Sequence, residues 1–492
     1  MNVRLAACLL VVGCTKVSAP STPDVGALLD APLVTQAEAV RKGAPAPRLV
    51  EAYAARIRKR DPELGAVVAV AGDLRSKAEA AASKGPLFGA TILLKDNIDA
   101  TGFATTAGSI ALAKNMPAVD APIVRRLRAG GGVVLGKTNL SEWANIRSVK
   151  STSGWSSFGG QTRGVHGLNP CGSSSGSGVA VAAGLAAAAI GTETDGSIVC
   201  PAAVNGIVGF KPTVGLVSRH GIVPISETQD TAGPMTRSVA DAARILDVIA
   251  GRDDADPATS KIPEGLTLDF EASLTKASLA DVRLGVVTTM LGAEPALDAI
   301  FVDARRRLEA AGATLVEVEL LERDAYGADE LYVLLYEFRV GLNAYLAGHA
   351  RDGQPKDLAE IIAFNRGHAD RVMPHFGQDL FLAAQSEVDA EGYAAARSRI
   401  AERIAAKGLA KVAAKHRLDA FIAPTGSPAW PIDYEAGDQI TASASGPAAI
   451  EGAPHLTVPM GKIDGRPVGL SFFGPRWSDA RLLALGYAFL GR

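Results

Sequence analysis

Residues 171–201 read CGSSSGSGVAVAAGLAAAAIGTETDGSIVCP, and this stretch decides how the rest of the chain is interpreted. A Ser/Gly loop holds Ser173, an alanine-rich run follows, and a second Ser/Gly turn holds Ser197. The run between the serines is long enough to cross a domain and to return the second turn toward the first. Pro201 fits the first turn of a short helix that begins just after Ser197. Unpaired N–H groups in such a turn can stabilise a developing negative charge.

The two turns resemble the signature of the amidase signature family, a GGSSGGS loop followed at a fixed distance by GTDTGGSIR. Here they read CGSSSGSG and GTETDGSIVCP. The sequence departs from the family pattern at Cys171, Ser175, Glu193, Asp195 and Val199. This wording is similar to that of one branch, the bacterial peptide amidases, which remove a C-terminal carboxamide.

The resemblance implies an α/β fold, a single large amidase-signature domain with a mixed central β-sheet flanked by helices on both faces. It extends over about residues 31–492 and is weakest in a region at about 265–405, which is expected to be helical and to shape the substrate site. Within this region, strands are predicted near Leu284 and Leu315.

The resemblance also implies the catalytic residues. It places a catalytic lysine at Lys95, after a predicted buried strand at residues 90–94, a relay serine at Ser173 and the nucleophile at Ser197. It implies a cis peptide bond between Gly172 and Ser173. The oxyanion hole would consist of the backbone N–H groups around three residues, Thr194, Asp195 and Gly196.

Amide hydrolysis explains why these residue types are needed. An amide is a poor electrophile with a poor leaving group, so the reaction requires an activated nucleophile, a stabilised oxyanion and a proton for the departing nitrogen. Lys95 can act as a base only when neutral, and burial away from carboxylates lowers the pKa of a lysine. Asp96 is expected on the opposite side of the extended strand. We therefore expect an acyl-enzyme mechanism that releases ammonia from the C-terminal amide of peptides or from amino-acid amides.

Three other functions remain open from the sequence. A glutaminase-type subunit of an amidotransferase shares the signature but works in the cytosol with partner subunits. A broad small-amide amidase would use the same chemistry. A catalytically inactive lipoprotein that binds peptides would have no need to keep Lys95, Ser173 and Ser197 together.

Composition limits the partners. Lys and Arg number 50 against 52 for Asp and Glu. This nearly neutral balance gives no indication of a basic surface that would bind nucleic acid. The seven histidines are scattered, and no His/Cys group has the spacing of a metal site. We expect a small-molecule or peptide amide as substrate, no metal or other cofactor, and a monomer.

The first thirty residues resemble an export signal. Residues 1–13, MNVRLAACLLVVG, hold an apolar run too short to span a bilayer, and a lipobox-like sequence ends at Cys14. Residues 1–13 are therefore interpreted as a lipoprotein signal peptide, Cys14 as the lipidated residue and residues 14–30 as a tether. The expected location is an exported, membrane-anchored lipoprotein that faces the periplasm or the cell exterior. The alternative is an unprocessed cytosolic N-terminus.

Two further cysteines lie in the signature stretch. Buried free thiols are the favoured interpretation of Cys171 and Cys200. An exported protein could instead join them in a disulfide.

One motif elsewhere is misleading. Residues 131–138, GGVVLGKT, match the P-loop pattern. A P-loop requires its middle residues to form a loop, whereas the Val-Val-Leu sequence here favours a strand, so no nucleotide binding is expected.

Hydrophobic periodicity and capping residues predict several helices. One amphipathic helix is predicted over about residues 35–60, and Ser238 is predicted to cap another helix that has Asp241 in its first turn. A longer helical region at about 329–399 is expected to cover the pocket and, with the segment ending at Trp430, to supply apolar surface. Its aromatic residues are expected to be mainly core residues: Tyr332, Tyr336, Tyr345 and Phe364.

Overall fold

The computed structural model describes residues 25–349 and 353–491. Within these ranges there are thirteen strands. They are β1 (Val67–Val70), β2 (Thr91–Lys95), β3 (Val133–Thr138), β4 (Trp155–Ser156), β5 (Gly160–Gln161), β6 (Ala188–Glu193), β7 (Val208–Lys211), β8 (Thr231–Thr236), β9 (Arg283–Val287), β10 (Thr314–Val318), β11 (Ala420–Pro424), β12 (His455–Ile463) and β13 (Arg466–Phe473).

The sheet is mixed, as predicted. It has 11 strands in the order β1-β3-β2-β6-β8-β7-β12-β13-β11-β9-β10, while β4 and β5 pair separately. Strand β2 is parallel to β3 and β6, and β9 is parallel to β10 and β11. All other neighbours in the large sheet are antiparallel.

Eighteen α-helices lie within the same described ranges. They are α1 (Val25–Asp30), α2 (Leu33–Arg41), α3 (Ala46–Leu64), α4 (Leu74–Ala81), α5 (Pro122–Ala129), α6 (Ser175–Ala182), α7 (Val199–Val204), α8 (Val239–Ile249), α9 (Phe270–Ser273), α10 (Pro295–Ala310), α11 (Gly327–His349), α12 (Leu358–Gly367), α13 (Ala369–Val372), α14 (Asp379–Ser386), α15 (Ala390–Lys407), α16 (Leu409–His416), α17 (Gly446–Ile450) and α18 (Asp479–Leu490). Among these helices, none combines the length and the apolar character needed to cross a bilayer.

Helices flank the sheet in two groups. Helices α6 and α7 contact each other, and α8 contacts α5 and α18. Both groups pack on central strands: α7 contacts β7, β12 and β13, α8 contacts β7 and β8, and α18 contacts β12 and β13. As predicted, Ser238 caps α8, with its hydroxyl accepting a hydrogen bond from Asp241 N at 3.1 Å.

The parallel pairing of β2 with β6 positions the chemistry. Strand β2 is buried along its whole length and ends at Lys95. Leu94 of β2 is in register with Ile190 of β6. Because parallel strands have their carboxyl ends at the same edge of a sheet, Lys95 lies beside the turn that follows β6 and holds Ser197.

The N-terminal predictions need two corrections. The helix predicted over about residues 35–60 is two helices, α2 and α3, because Gly43 has φ +105° and Pro45 precedes α3. The tether predicted over residues 14–30 is wrong for its last six residues, which form α1 and bury Leu28 and Leu29. The proposed signal peptide and Cys14 lie outside the described residues.

The P-loop-like segment forms no loop. Residues Val133–Thr138 are strand β3, and Lys137 is fully buried in an ion pair with Asp96 at 3.0 Å. The strand predicted for the Val-Val-Leu sequence is thus confirmed.

The weakly matching middle of the chain has two parts. The strands predicted near Leu284 and Leu315 are β9 and β10, at one edge of the main sheet. Helices α11 to α15, in residues 327–349 and 353–407, form a layer that we call the roof. Many of its apolar side chains pack around Phe338, Leu342 and Phe381, in a cluster that also includes Trp143 and Ile225 from outside the roof.

Candidate active site

Lys95 lies at the centre of a buried polar cluster. Its Nζ is 2.7 Å from Ser173 Oγ, 2.8 Å from Thr192 Oγ1 and 3.1 Å from the Thr192 carbonyl oxygen. A neutral lysine amine has two N–H donors and one lone pair. Thr192 can accept both donors, which leaves the lone pair for the hydroxyl of Ser173.

Burial favours the neutral form of this lysine. Lys95 is fully buried, and desolvation lowers its pKa from 10.5 to about 7, although the charges of Asp230 and Glu193 oppose the shift. Among the described residues, no carboxylate forms an ion pair with Lys95; the neighbouring Asp96 pairs instead with Lys137. The expectation that Asp96 does not stabilise the charged form of Lys95 is thus confirmed.

The Ser173 loop is fixed through its backbone. The Gly172–Ser173 peptide bond is cis, as the resemblance implies. The carbonyl oxygen of Ser173 accepts a hydrogen bond from Ser141 N at 3.1 Å, and Ser174 N donates to the Ser197 carbonyl at 3.1 Å. The last contact joins the two serine-bearing turns.

The Ser197 turn presents free donors. Gly196 has φ +80°, and α7 begins two residues after Ser197, close to where it was predicted. Within the described part of the chain, the backbone N–H groups of Asp195, Gly196 and Ser197 have no acceptor. The Glu193 carboxylate fixes the turn by accepting hydrogen bonds from Ile198 N at 2.6 Å and from Val199 N at 2.9 Å.

Two cavities meet at this cluster. Cavity 1, of about 440 Å³, is lined by Ser173 and by apolar side chains that include Ile225 and Val340. Cavity 2, of about 600 Å³, is lined by Ser197 and by the turn that precedes it. The two cavities share three wall residues, Ala144, Thr194 and Ile225.

A disulfide closes the signature stretch into a ring. Cys171 and Cys200 are bonded, so the favoured interpretation as free thiols is wrong and the alternative is confirmed. Both cysteines line cavity 2. Trp430, which was expected to offer surface to the substrate, instead packs beside Cys171 in a small buried cluster.

An ion pair connects the Ser197 turn to the chain that leads into the roof. Arg323, between β10 and α11, donates to Asp195 Oδ2 at 2.9 Å and lies 3.6 Å from Glu330. Its charged neighbours, first of all Asp195, raise the pKa of Arg323. Both Asp195 and Arg323 line cavity 2.

Some residues that line the site were given no role by the sequence motifs. Thr192 and Asn97, whose side chains share a 3.0 Å hydrogen bond, line cavity 1 together with Tyr393. Of the four roof aromatics expected mainly in the core, Tyr345 is buried, but Tyr336 lines cavity 1 and stacks on Tyr393 with 4.5 Å between ring centroids. The motifs at the strand end and in the turns indicate the polar cluster. No local sequence pattern indicates which roof side chains face that cluster.

This geometry is that of an enzyme that cleaves amides, and the comparison with known families agrees. The sequence profile of the family described as Amidase matches residues 48–483. The chain therefore belongs to the amidase signature family, and it is a hydrolase that acts on amide C–N bonds.

Solved structures show the same fold. The native peptide amidase from Stenotrophomonas maltophilia has a TM-score of 0.88 and is 47% identical, with 94% of this chain and 96% of that chain covered. The peptide amidase PAM in complex with the competitive inhibitor chymostatin has a TM-score of 0.89 at 47% identity, with 96% and 98% covered.

Curated relatives are of two kinds. A probable amidase of Arabidopsis thaliana is 37% identical over 462 residues, which cover 90% of this chain and 86% of that protein. A glutamyl-tRNA(Gln) amidotransferase subunit of Symbiobacterium thermophilum is 35% identical over 467 residues, with 90% and 92% covered.

Proposed function

We propose that this amidase removes the terminal amide of peptides and amino-acid amides as ammonia, through a Ser-Ser-Lys triad. The observation that carries the proposal is the contact between fully buried Lys95 and Ser173, at 2.7 Å, beside a turn with free backbone donors.

The Lys95–Ser173 contact and the membership of the amidase signature family support the following cycle. Neutral Lys95 accepts the proton of Ser173, and Ser173 accepts that of Ser197, whose oxygen forms a bond to the amide carbon. The carbonyl electron pair moves to oxygen, where backbone N–H groups of the turn at Thr194, Asp195 and Gly196 stabilise the negative charge. Collapse of this intermediate breaks the C–N bond, and the proton returns through Ser173 to the leaving nitrogen. Water then hydrolyses the acyl-Ser197 ester.

The cavities support a peptide substrate. With the scissile amide at Ser197 in cavity 2, the side chain of the last residue would extend into cavity 1, whose lining includes Ile222, Ile225 and Val340. Apolar walls with a few polar groups are typical of ligand sites. The similarity to peptide amidases over almost the whole chain adds to this support.

A substrate panel tests the proposal. Ammonia release should be measured from dipeptide amides, single amino-acid amides, acetamide and free glutamine. We expect kcat/KM to rise when residues are added upstream of the amide, because remote contacts then contribute to transition-state binding. A preference for acetamide would indicate a broad small-amide amidase. Glutamine as the best substrate would favour the role of the amidotransferase subunits to which the chain is also similar.

We also propose that the protein is an exported lipoprotein anchored through Cys14. The sequence of residues 1–14 supports this, and so does the Cys171–Cys200 disulfide, since disulfides persist mainly in oxidising compartments. Labelled palmitate should enter the wild type but not Cys14→Ala. Recovery of an intact Met1 terminus from a cytosolic fraction would contradict export.

A further inference from the structure

The turn that holds Ser197 contains a negative charge where the reaction also generates one. Asp195 is two residues from Ser197, and the general family pattern has a glycine at this position. Its side chain is only 13% exposed. A buried carboxylate beside a developing oxyanion repels it, and low exposure limits how far water can screen the repulsion.

One cationic side chain among the described residues contacts this carboxylate directly. Asp195 Oδ2 accepts its hydrogen bond from Arg323, and Asp195 Oδ1 is buried without a partner among the described residues. Arg323 is the single cationic side chain among the described residues that line cavity 2. Among the described residues Arg323 forms the ion pair with this carboxylate, whereas the buried Lys211 attracts it only from a greater distance. Arg323 therefore supplies the direct compensation of its charge.

We infer that Arg323 is a positioning residue for catalysis, which acts through Asp195 by offsetting that carboxylate's charge so that the oxyanion can form at Ser197. The inference rests on the proposed function, because it needs the oxyanion in this turn. Arg323 itself lies outside the roof, in the segment that leads into α11, and its side chain is 63% exposed.

A double-mutant cycle tests this coupling. We expect Arg323→Gln to lower kcat about tenfold or more with little change in KM, because the uncovered carboxylate opposes the transition state. Arg323→Lys should retain most of the activity because it keeps the charge. In an Asp195→Asn background, the same Arg323→Gln change should alter kcat by less than about threefold, because no charge is left to offset. Arg306→Gln, at a 72% exposed arginine paired with Asp303, is the matched control.

An inhibitor pair gives a readout that a purely structural role would not move. A peptide aldehyde forms a hemiacetal oxyanion with the nucleophile, whereas the corresponding peptide alcohol does not. Arg323→Gln should weaken binding of the aldehyde by the same factor by which it lowers kcat, and it should leave binding of the alcohol unchanged. Equal losses for both inhibitors, or an equally large kcat loss in the Asp195→Asn background, would overturn the inference.

The inference and the proposed function fail separately. If Ser197→Ala is inactive while the cycle shows no coupling, the charge compensation is wrong and the triad stands. If Ser197→Ala keeps full activity, the nucleophile itself is misassigned, and the compensation has no oxyanion on which to act.

Discussion

The signature stretch and the roof contribute to the same pair of cavities by different means. In residues 171–201 nearly every residue is buried, and the turns are held by backbone hydrogen bonds and by one disulfide. The roof has many exposed residues, and its apolar side chains share a cluster with residues such as Trp143 from outside it. Asp329 joins α11 to α15 through ion pairs with two partly exposed arginines, Arg399 and Arg403.

The difference separates chemistry from selectivity. Backbone hydrogen bonds are not removed by exchanging one side chain, so the positions of Ser173 and Ser197 depend on few side chains, among them Glu193, which accepts from the first N–H groups after Ser197. Roof side chains such as Tyr336 can be exchanged without disturbing the sheet. Changes in the signature stretch should therefore act on kcat, and changes in the roof on KM.

The largest effect is expected at the nucleophile. Ser197→Ala should lower kcat by about 10⁴–10⁶-fold, as for other covalent nucleophiles. Mass spectrometry after treatment with a sulfonyl fluoride should find the adduct on Ser197, and Ser398→Ala, at an exposed roof serine, should be fully active. An adduct on a different serine would show that the signature stretch does not supply the nucleophile.

The base should give the next largest effect and a defined pH dependence. Because burial lowers the pKa of Lys95 to about 7, the amine is neutral above that pH, and kcat should fall as pH falls through about 7. Lys95→Arg should lose about three orders of magnitude in kcat because a guanidinium stays protonated. Lys462→Met, at an exposed position, is the control. A fully active Lys95→Arg variant would rule out the relay.

The same pKa shift affects stability. Between about pH 7 and 10.5 the unfolded chain binds a proton that folded Lys95 does not, so this group makes the free energy of unfolding rise with pH across that window. Lys95→Met should remove this contribution, which urea titrations at several pH values would detect.

The disulfide should matter more for stability than for chemistry. Its partners are 29 positions apart. A ring of this size lowers the entropy of the unfolded chain, and Cys171→Ser with Cys200→Ser should reduce the free energy of unfolding by about 3–4 kcal/mol. Urea unfolding with and without dithiothreitol measures this. The reductant should lower the stability of the wild type and leave the double variant unchanged; an effect on the variant would point to another target.

The smallest effect is expected in the roof. Tyr336→Ala should raise KM for peptide amides about three- to tenfold with little change in kcat, since it removes an aromatic surface from cavity 1. Phe364→Ala, also in the roof but stacked on His368, is the matched control. A loss confined to kcat would contradict the separation of chemistry from selectivity.

The fold and the polar cluster were predictable because the motifs that carry the family resemblance are local. Lys95 follows a strand whose apolar run is continuous, and each serine lies in its own Ser/Gly turn. The contacts that sequence could not supply join distant segments. Thr192 is 97 positions from Lys95, and Arg323 is 128 positions from Asp195. Such pairs depend on strand order and on where a loop crosses the sheet, which no local periodicity encodes.

The ring closed by Cys171 and Cys200 also has an analytical consequence. No lysine or arginine lies between the two cysteines, and the nearest are Arg163 upstream and Lys211, followed by Pro212, downstream. Trypsin, which cuts poorly before proline, would therefore release one fragment from 164 to 219 that carries Ser173, Ser197 and both sulfur atoms. One intact-mass measurement of that fragment reports acylation and thiol oxidation in the same molecule, so trapped acyl-enzyme can be assigned to the ring-closed or the ring-open form.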